Sequence, residues 1–117
     1  MQRDFTYVDD IVEGVVRVLS RPPQSGQPTG APYAIYNIGN NRAVGLEEFI
    51  AELESLLGRR AVKEYLPLQP GDVPATYASI DRIARATGFA PSTSLHDGLE
   101  QFVAWYRKYY SEGVSSA

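Results

Sequence analysis

Tyr33-Ala-Ile-Tyr-Asn-Ile-Gly-Asn-Asn-Arg-Ala-Val-Gly-Leu-Glu-Glu-Phe-Ile-Ala-Glu-Leu-Glu-Ser-Leu-Leu-Gly58 carries the two signals that decide the fold. Tyr33 to Ile38 is an apolar run without alternation, the pattern of a strand covered on both faces in a parallel sheet. Gly39-Asn40-Asn41 closes it, because glycine and asparagine accept the turn geometry that a strand cannot continue through. Behind the turn, Leu46, Phe49, Ile50, Leu53, Leu56 and Leu57 recur at helical spacing, and Gly58 supplies the stop. This strand-loop-helix unit predicts an α/β fold. The companion strands on offer are few: Arg3 to Val8, rich in residues that favour extension, and Ala61 to Leu66. The sheet therefore calls for more strands than the chain supplies.

Upstream, the period changes at Val8 to that of a helix, with Val8, Ile11, Val12, Val15, Val18 and Leu19 on one face. Asp9 and Asp10 lie in its first turn and Arg17 and Arg21 near its end, as the helix dipole favours. Neither Asp9 with Asp10 nor Glu47 with Glu48 can face each other as an acid/base pair, since adjacent helical residues diverge. They read as solvated helix starts. Residues 21–32, rich in proline and glycine, read as a surface connection.

Downstream, Ser79 to Thr87 predicts a short helix stopped by Gly88, and Ser94 to Ser111 a long one. Ser94 and Asp97 have capping-box spacing. The buried face expected for the long helix is Leu95, Leu99, Phe102, Val103, Tyr106 and Tyr110, an aromatic stripe read as core. Residues 1–111 thus form a single domain, divided into 1–58 and 59–111, with 112–117 as a tail.

Between the short strand and the short helix stands Gln69-Pro-Gly-Asp-Val-Pro-Ala-Thr-Tyr-Ala-Ser79. Pro70 presets φ for the second position of a turn and Gly71 supplies the positive φ of the third, so Gln69 to Asp72 reads as a type II turn. Pro74 keeps Val73 extended. The turn holds the Asp72 carboxylate in a fixed direction, a useful arrangement for gripping a ligand.

Composition narrows the function classes. The chain has 117 residues, 44% of them hydrophobic, and a formal net charge of −3, with no basic block that would seek nucleic acid or an anionic membrane. A chain of this length can bury roughly 65% of its unfolded surface in one core. It has no cysteine, which excludes disulfides, thiolate metal sites and cysteine nucleophiles, and suits a cytoplasmic setting. No metal chemistry is expected. No apolar run approaches the roughly 18 residues of a membrane span, and Met1 to Phe5 lacks the pattern of a signal peptide. His96 is the only histidine and has no nucleophile with a plausible partner set, so a catalytic triad is not expected. Gly39 and Gly45 do not match the dinucleotide fingerprint, and no Gly-Lys-Ser/Thr occurs for a Walker loop.

Three stretches, Arg3-Asp-Phe-Thr-Tyr-Val-Asp-Asp-Ile11, Tyr36-Asn-Ile-Gly-Asn40 and Gln69-Pro-Gly-Asp-Val-Pro-Ala-Thr-Tyr-Ala78, together resemble the C-terminal part of the extended short-chain dehydrogenases/reductases, the NAD-dependent nucleotide-sugar epimerases and dehydratases. Thr87-Gly-Phe-Ala-Pro91, Thr93-Ser-Leu-His-Asp-Gly98 and Trp105-Tyr106 resemble that family's last helix and its approach. The resemblance covers residues 2–110, and the wording of 69–78 is most similar to UDP-glucuronate epimerases, which interconvert glucuronate and galacturonate.

The resemblance implies a partial α/β fold, the substrate-binding region of such an enzyme with its Rossmann half missing. The family's Gly-x-x-Gly-x-x-Gly loop and Tyr-x-x-x-Lys pair have no counterpart in this chain. Its only lysines are Lys63 and Lys108, with Arg59 and Ala104 four positions before them. The expectation is therefore no catalytic residue here, NAD in the full-length parent but not on this chain, and no epimerase activity of the chain alone. The resemblance further implies that Arg3 meets the diphosphate of a UDP-sugar and that Asp72 accepts from ribose hydroxyls, with Gln69 beside them. Gln69 stands where several UDP-galactose epimerases place an arginine, and its neutral amide leaves the exact sugar nucleotide open. UDP-sugar binding by the chain alone is expected to be weak, because Arg3 and Asp72 are only part of a site that needs the other domain to exclude water. Decarboxylase, dTDP-glucose dehydratase and UDP-glucose 4-epimerase parents are alternatives, as is a stand-alone, non-catalytic binding module. The apolar helix 8–19 and strand 33–38, without flanking strands, call for a homodimer or larger assembly.

Overall fold

The computed structural model describes residues 1–24 and 30–114. In chain order the elements are β1 (Gln2–Asp4), α1 (Val8–Leu19), β2 (Ala43–Gly45), α2 (Leu46–Leu57), α3 (Asp81–Thr87) and α4 (Leu95–Val114). Part of the connection expected over 21–32 and the end of the expected tail lie outside the described residues.

The four helices among the described residues lie where the sequence puts them, except that α3 begins only at Asp81 and α4 runs past Ser111 to Val114, into the expected tail. Gly58 and Gly88 end α2 and α3 with φ of 67° and 70°, a left-handed backbone that glycine adopts without the Cβ penalty. At the start of α4, Ser94 Oγ accepts the Asp97 amide at 3.1 Å and donates to Asp97 Oδ2 at 2.6 Å, the capping interaction read from the sequence.

The strands differ from expectation. Among the described residues the sheet is one antiparallel pair, β1 with β2, with Arg3 opposite Val44. Tyr33–Ile38 and Ala61–Leu66 are not paired into a strand, and the expected strand 3–8 shortens to Gln2–Asp4 because α1 begins at Val8. An unalternating apolar strand needs partner strands, and among the described residues none pairs with 33–38. β2 has only three residues, too few to show a period in the sequence. On its other edge β1 takes up the segment after the turn. Gln2 bridges Ala75 in parallel, its amide donating to Pro74 O at 2.9 Å while its carbonyl accepts the Thr76 amide at 3.1 Å.

Burial corrects two helix faces. On α1 the buried residues are Asp10 and Gly14, and Ile11 and Val18 of the expected face are half-buried like Arg17, whereas Val8, Val12, Val15, Val16 and Leu19 are exposed, Leu19 at 76%. Gly14 lies against Ile38, and a Cβ there would sit 3.0 Å from Ile38 Cδ1, so the closest approach of the helix runs along its smallest residue. On α4 only Leu99 and Val103 of the expected face are buried, Leu95 is half-buried, and Phe102, Tyr106 and Tyr110 are exposed. The aromatic stripe packs on itself, Trp105 on Tyr109 and Tyr106 on Tyr110 with centroids 5.3 and 4.6 Å apart.

The core is small: Val44, Ile83, Phe89, Leu99 and Val103. Phe5 stacks on Phe49 at 4.3 Å, joining β1 to α2, and Arg107 donates to Leu56 O at 3.1 Å, tying α4 to the end of α2. The radius of gyration is 18.6 Å, against about 13 Å for a compact domain of this length. One closed core of the size expected from length alone does not form. No helix among the described residues is long and apolar enough to cross a membrane.

Candidate functional site

Arg3 sits at the centre of β1, which is held on one edge by β2 and on the other by residues 74–76. Its backbone is thereby fixed. Its guanidinium Nη1 donates to Val73 O at 2.8 Å and to Gln2 O at 3.0 Å. Residues 70 positions apart thus meet at one point. The turn before Val73 has the form read from the sequence, with the Asp72 amide donating to Gln69 O at 3.1 Å and Gly71 at φ 93°. Gln69 and Asp72 are exposed. The structure brings Arg3 to the turn through the Val73 carbonyl and leaves the side chains of Gln69 and Asp72 facing solvent around it.

Asp4, next to Arg3, was not singled out in the sequence. Its Oδ1 accepts the Asn40 amide at 2.9 Å, and its Oδ2 accepts the amides of Asn41 and Ala78 at 3.2 and 3.1 Å. Its own amide donates to Thr76 Oγ1 at 3.3 Å. Gly39 permits this gathering, since a Cβ there would lie 2.6 Å from Ala78 Cβ and 2.9 Å from Asp4 Oδ2. The turn residues Gly39 to Asn41 are therefore tied to the end of β1 through Asp4.

Asp10, read from the sequence as a solvated helix start, is buried at 4% exposure. Its Oδ1 accepts the amide and hydroxyl of Ser92 at 3.3 and 3.1 Å, and its Oδ2 accepts the Thr93 amide at 3.0 Å. Burial acts to raise its pKa, but the bonds from Thr93 and Ser92 outweigh it and hold the carboxyl below its ordinary value. Asp9, one residue away, is exposed as expected. Adjacent helical residues point about 100° apart, and the tertiary partner decides which of them turns inward.

Two exposed pairs complete the electrostatics. Lys63 Nζ lies 2.6 Å from Glu47 Oε2, and Tyr65 donates to Glu47 Oε1 at 3.1 Å, fastening the segment ahead of the turn to the start of α2. The shared hydrogen bond lowers the pKa of Glu47 and raises that of Lys63. His96 Nδ1 lies 2.8 Å from Glu52 Oε2, and this bond raises the pKa of the imidazole. Between the end of β1 and the starts of α2 and α4 opens an apolar cleft of about 320 Å³, lined by Phe5, Tyr7, Phe49, Leu95, Leu99 and Phe102. No group of three or more His, Cys, Asp or Glu among the described residues could hold a metal ion. A fixed guanidinium beside an exposed carboxylate on a rigid turn is equipment for holding an anionic, hydroxyl-bearing ligand.

No protein-family model matches the chain. Fold and motifs are those of the C-terminal part of an extended short-chain dehydrogenase/reductase, and the relatives and solved neighbours agree. The protein CapI of Staphylococcus aureus is 47% identical over 123 residues, 96% of this chain and 36% of its own length. A probable UDP-glucuronate 4-epimerase of Rhizobium meliloti is 40% identical over 121 residues, with 94% and 36% covered. Among solved structures, the UDP-glucuronic acid 4-epimerase of Bacillus cereus in complex with UDP-glucuronic acid and NAD superposes with a TM-score of 0.78 at 30% identity, over 93% of this chain and 33% of that one. The chain thus spans about a third of the length of the proteins it matches.

Proposed function

We propose that the chain forms the UDP-sugar-binding part of an NAD-dependent UDP-glucuronate 4-epimerase, an isomerase of sugar nucleotides. Arg3 holds the diphosphate, Asp72 accepts from the ribose hydroxyls, and Gln69 borders the same face. The observation that carries this reading is the Arg3–Val73 contact, which sets a guanidinium beside the Asp72 turn. Identity near 40% over almost the whole chain with proteins named for this activity supports it. Residues 1–58 supply Arg3 and its supporting wall, and 59–111 supply the turn. The chain has neither a Gly-x-x-Gly-x-x-Gly loop nor a Tyr-x-x-x-Lys pair, so NAD and the base that oxidises the sugar belong to the remaining two thirds of a full-length enzyme. By itself the chain is inactive, binds UDP weakly and binds no NAD. The cytoplasmic setting expected from the cysteine-free sequence goes with this reading.

Titration of isotope-labelled chain with UDP, followed by amide resonances, tests it. Saturable shifts at Asp72 and Val73 in the millimolar range, about 4 kcal/mol of binding, are expected, weakened by Arg3→Ala or Asp72→Ala; in a full-length enzyme each of these replacements should cost about 1.5 to 3 kcal/mol. NAD binding tighter than about 1 mM to this chain would misplace the cofactor site.

The exposed valines of α1, with Tyr33 and Ile35 of the unpaired segment, form an apolar surface of the kind that meets another chain. A homodimer is the proposed assembly. Light scattering at micromolar concentration should give twice the chain mass, and a clean monomer would refute it.

A further inference from the structure

β1 and the segment beside it carry more hydrogen bonding than a guanidinium and a turn require, and most of it converges on Asp4, next to Arg3. Its carboxylate accepts three backbone amides from two segments, Asn40 and Asn41 on one side and Ala78 on the other. Asn41 adopts a φ of 57°, a left-handed conformation that asparagine tolerates better than other side chains. Its side-chain oxygen accepts the Tyr77 hydroxyl. Asp4, Asn41, Tyr77 and Ala78 therefore close a ring, so that segments 39–41 and 76–78 are joined twice.

The consequence lies at the other end of the same segment. Residues 73–78 run along β1 with one parallel bridge, Gln2 to Ala75. A single bridge leaves register weakly determined, and a slip by one residue turns each side chain to the opposite face. Register is set by the two ends, where Arg3 holds Val73 O and Asp4 holds the Ala78 amide. We infer that Asp4 is a positioning residue for the diphosphate- and ribose-binding face: its carboxylate fixes the register of 73–78 along β1 and so fixes Arg3 relative to Asp72. The inference rests on the proposed roles of Arg3 and Asp72. It requires a carboxylate rather than an amide, because Oδ2 accepts two N–H groups, and asparagine would set an NH2 donor against amide donors on one side.

The test uses the labelled protein with UDP as the probe, comparing Asp4→Asn, Tyr77→Phe and Arg3→Ala with the unaltered chain. Asp4→Asn is expected to raise the UDP dissociation constant about tenfold, to shift the Val73 and Asp72 amides in the absence of ligand, and to speed exchange at Ala78 and Asn40. Tyr77→Phe removes one bond of the ring without touching the carboxylate, and is expected to weaken UDP about threefold in a folded protein. That variant decides the matter if Asp4→Asn does not fold. UDP affinity and Val73 shift unchanged in the folded Asp4→Asn, or affinity unchanged in Tyr77→Phe, with Arg3→Ala still losing UDP, would overturn the role of Asp4 and leave the reading of the face intact. If the unaltered chain shows no saturable UDP shift, or Arg3→Ala binds UDP undiminished, the reading of the face fails and the inference with it.

Discussion

The starts of α1 and α2 look alike in sequence, each with two adjacent carboxylates in its first turn: Asp9 and Asp10, Glu47 and Glu48. In the structure they do different work. Asp10 is buried and gathers the backbone of residues 92–93, whereas Glu47 remains exposed and holds the side chains of Lys63 and Tyr65. The difference is one of partner type. Asp10 is itself buried and water reaches its carboxylate poorly, so losing its bonds from Ser92 and Thr93 carries a desolvation cost. A long lysine side chain at the surface is solvated whether or not it pairs.

The largest expected effect follows from Asp10. Asp10→Ala strands two amides and a hydroxyl at the junction of α1 with the loop before α4, and should destabilise the protein by about 3 kcal/mol, read as a lowered midpoint of urea unfolding. A loss indistinguishable from that of Asp9→Ala would erase the contrast between the two neighbours.

Acid should act through the same carboxyl. Its folded pKa is depressed, so the stability it contributes is fully present above the ordinary aspartate value of about 3.9 and is lost as pH falls through the lower folded value. Thermal melts of the wild type against Asp10→Asn should differ most above about pH 4 and converge as the pH falls further and the carboxyl takes up its proton. A constant gap across that window would mean that the carboxyl is not held in its charged form.

The smallest effect belongs to Glu47. Glu47→Ala should leave the melting midpoint unchanged within error, because its partners are exposed and screened. It should instead loosen residues 61–66, seen as narrower, random-coil-like resonances for Lys63 and Tyr65. A large fall in midpoint would place Glu47 in the same class as Asp10.

Much of the fold was legible along the chain. The four helices follow from apolar spacing, the stops at Gly58 and Gly88 from the left-handed backbone glycine allows, and the cap at Ser94 from its distance to Asp97. The turn at Gln69 to Asp72 follows from Pro70 and Gly71. These are local determinants, written in residues at most a few positions apart. The family resemblance was legible too, since its motifs are short and ordered.

What escaped the sequence was set by contacts between distant residues. No period distinguishes Asp10 from Asp9, and nothing near Asp4 announces that amides 36 to 74 positions away will converge on it. The apolar spacing of α1 and α4 marks a helix, but which stripe is covered depends on what packs there, and Gly14 against Ile38 turned the valines outward. By itself the sequence determined the helices and the turn, because propensity, caps and turn residues act locally. Tertiary structure alone decided which carboxylates became acceptors for the backbone of distant segments and which apolar segments stayed unpaired, because an unsatisfied amide or an uncovered strand edge is resolved only by whatever the rest of the chain brings beside it.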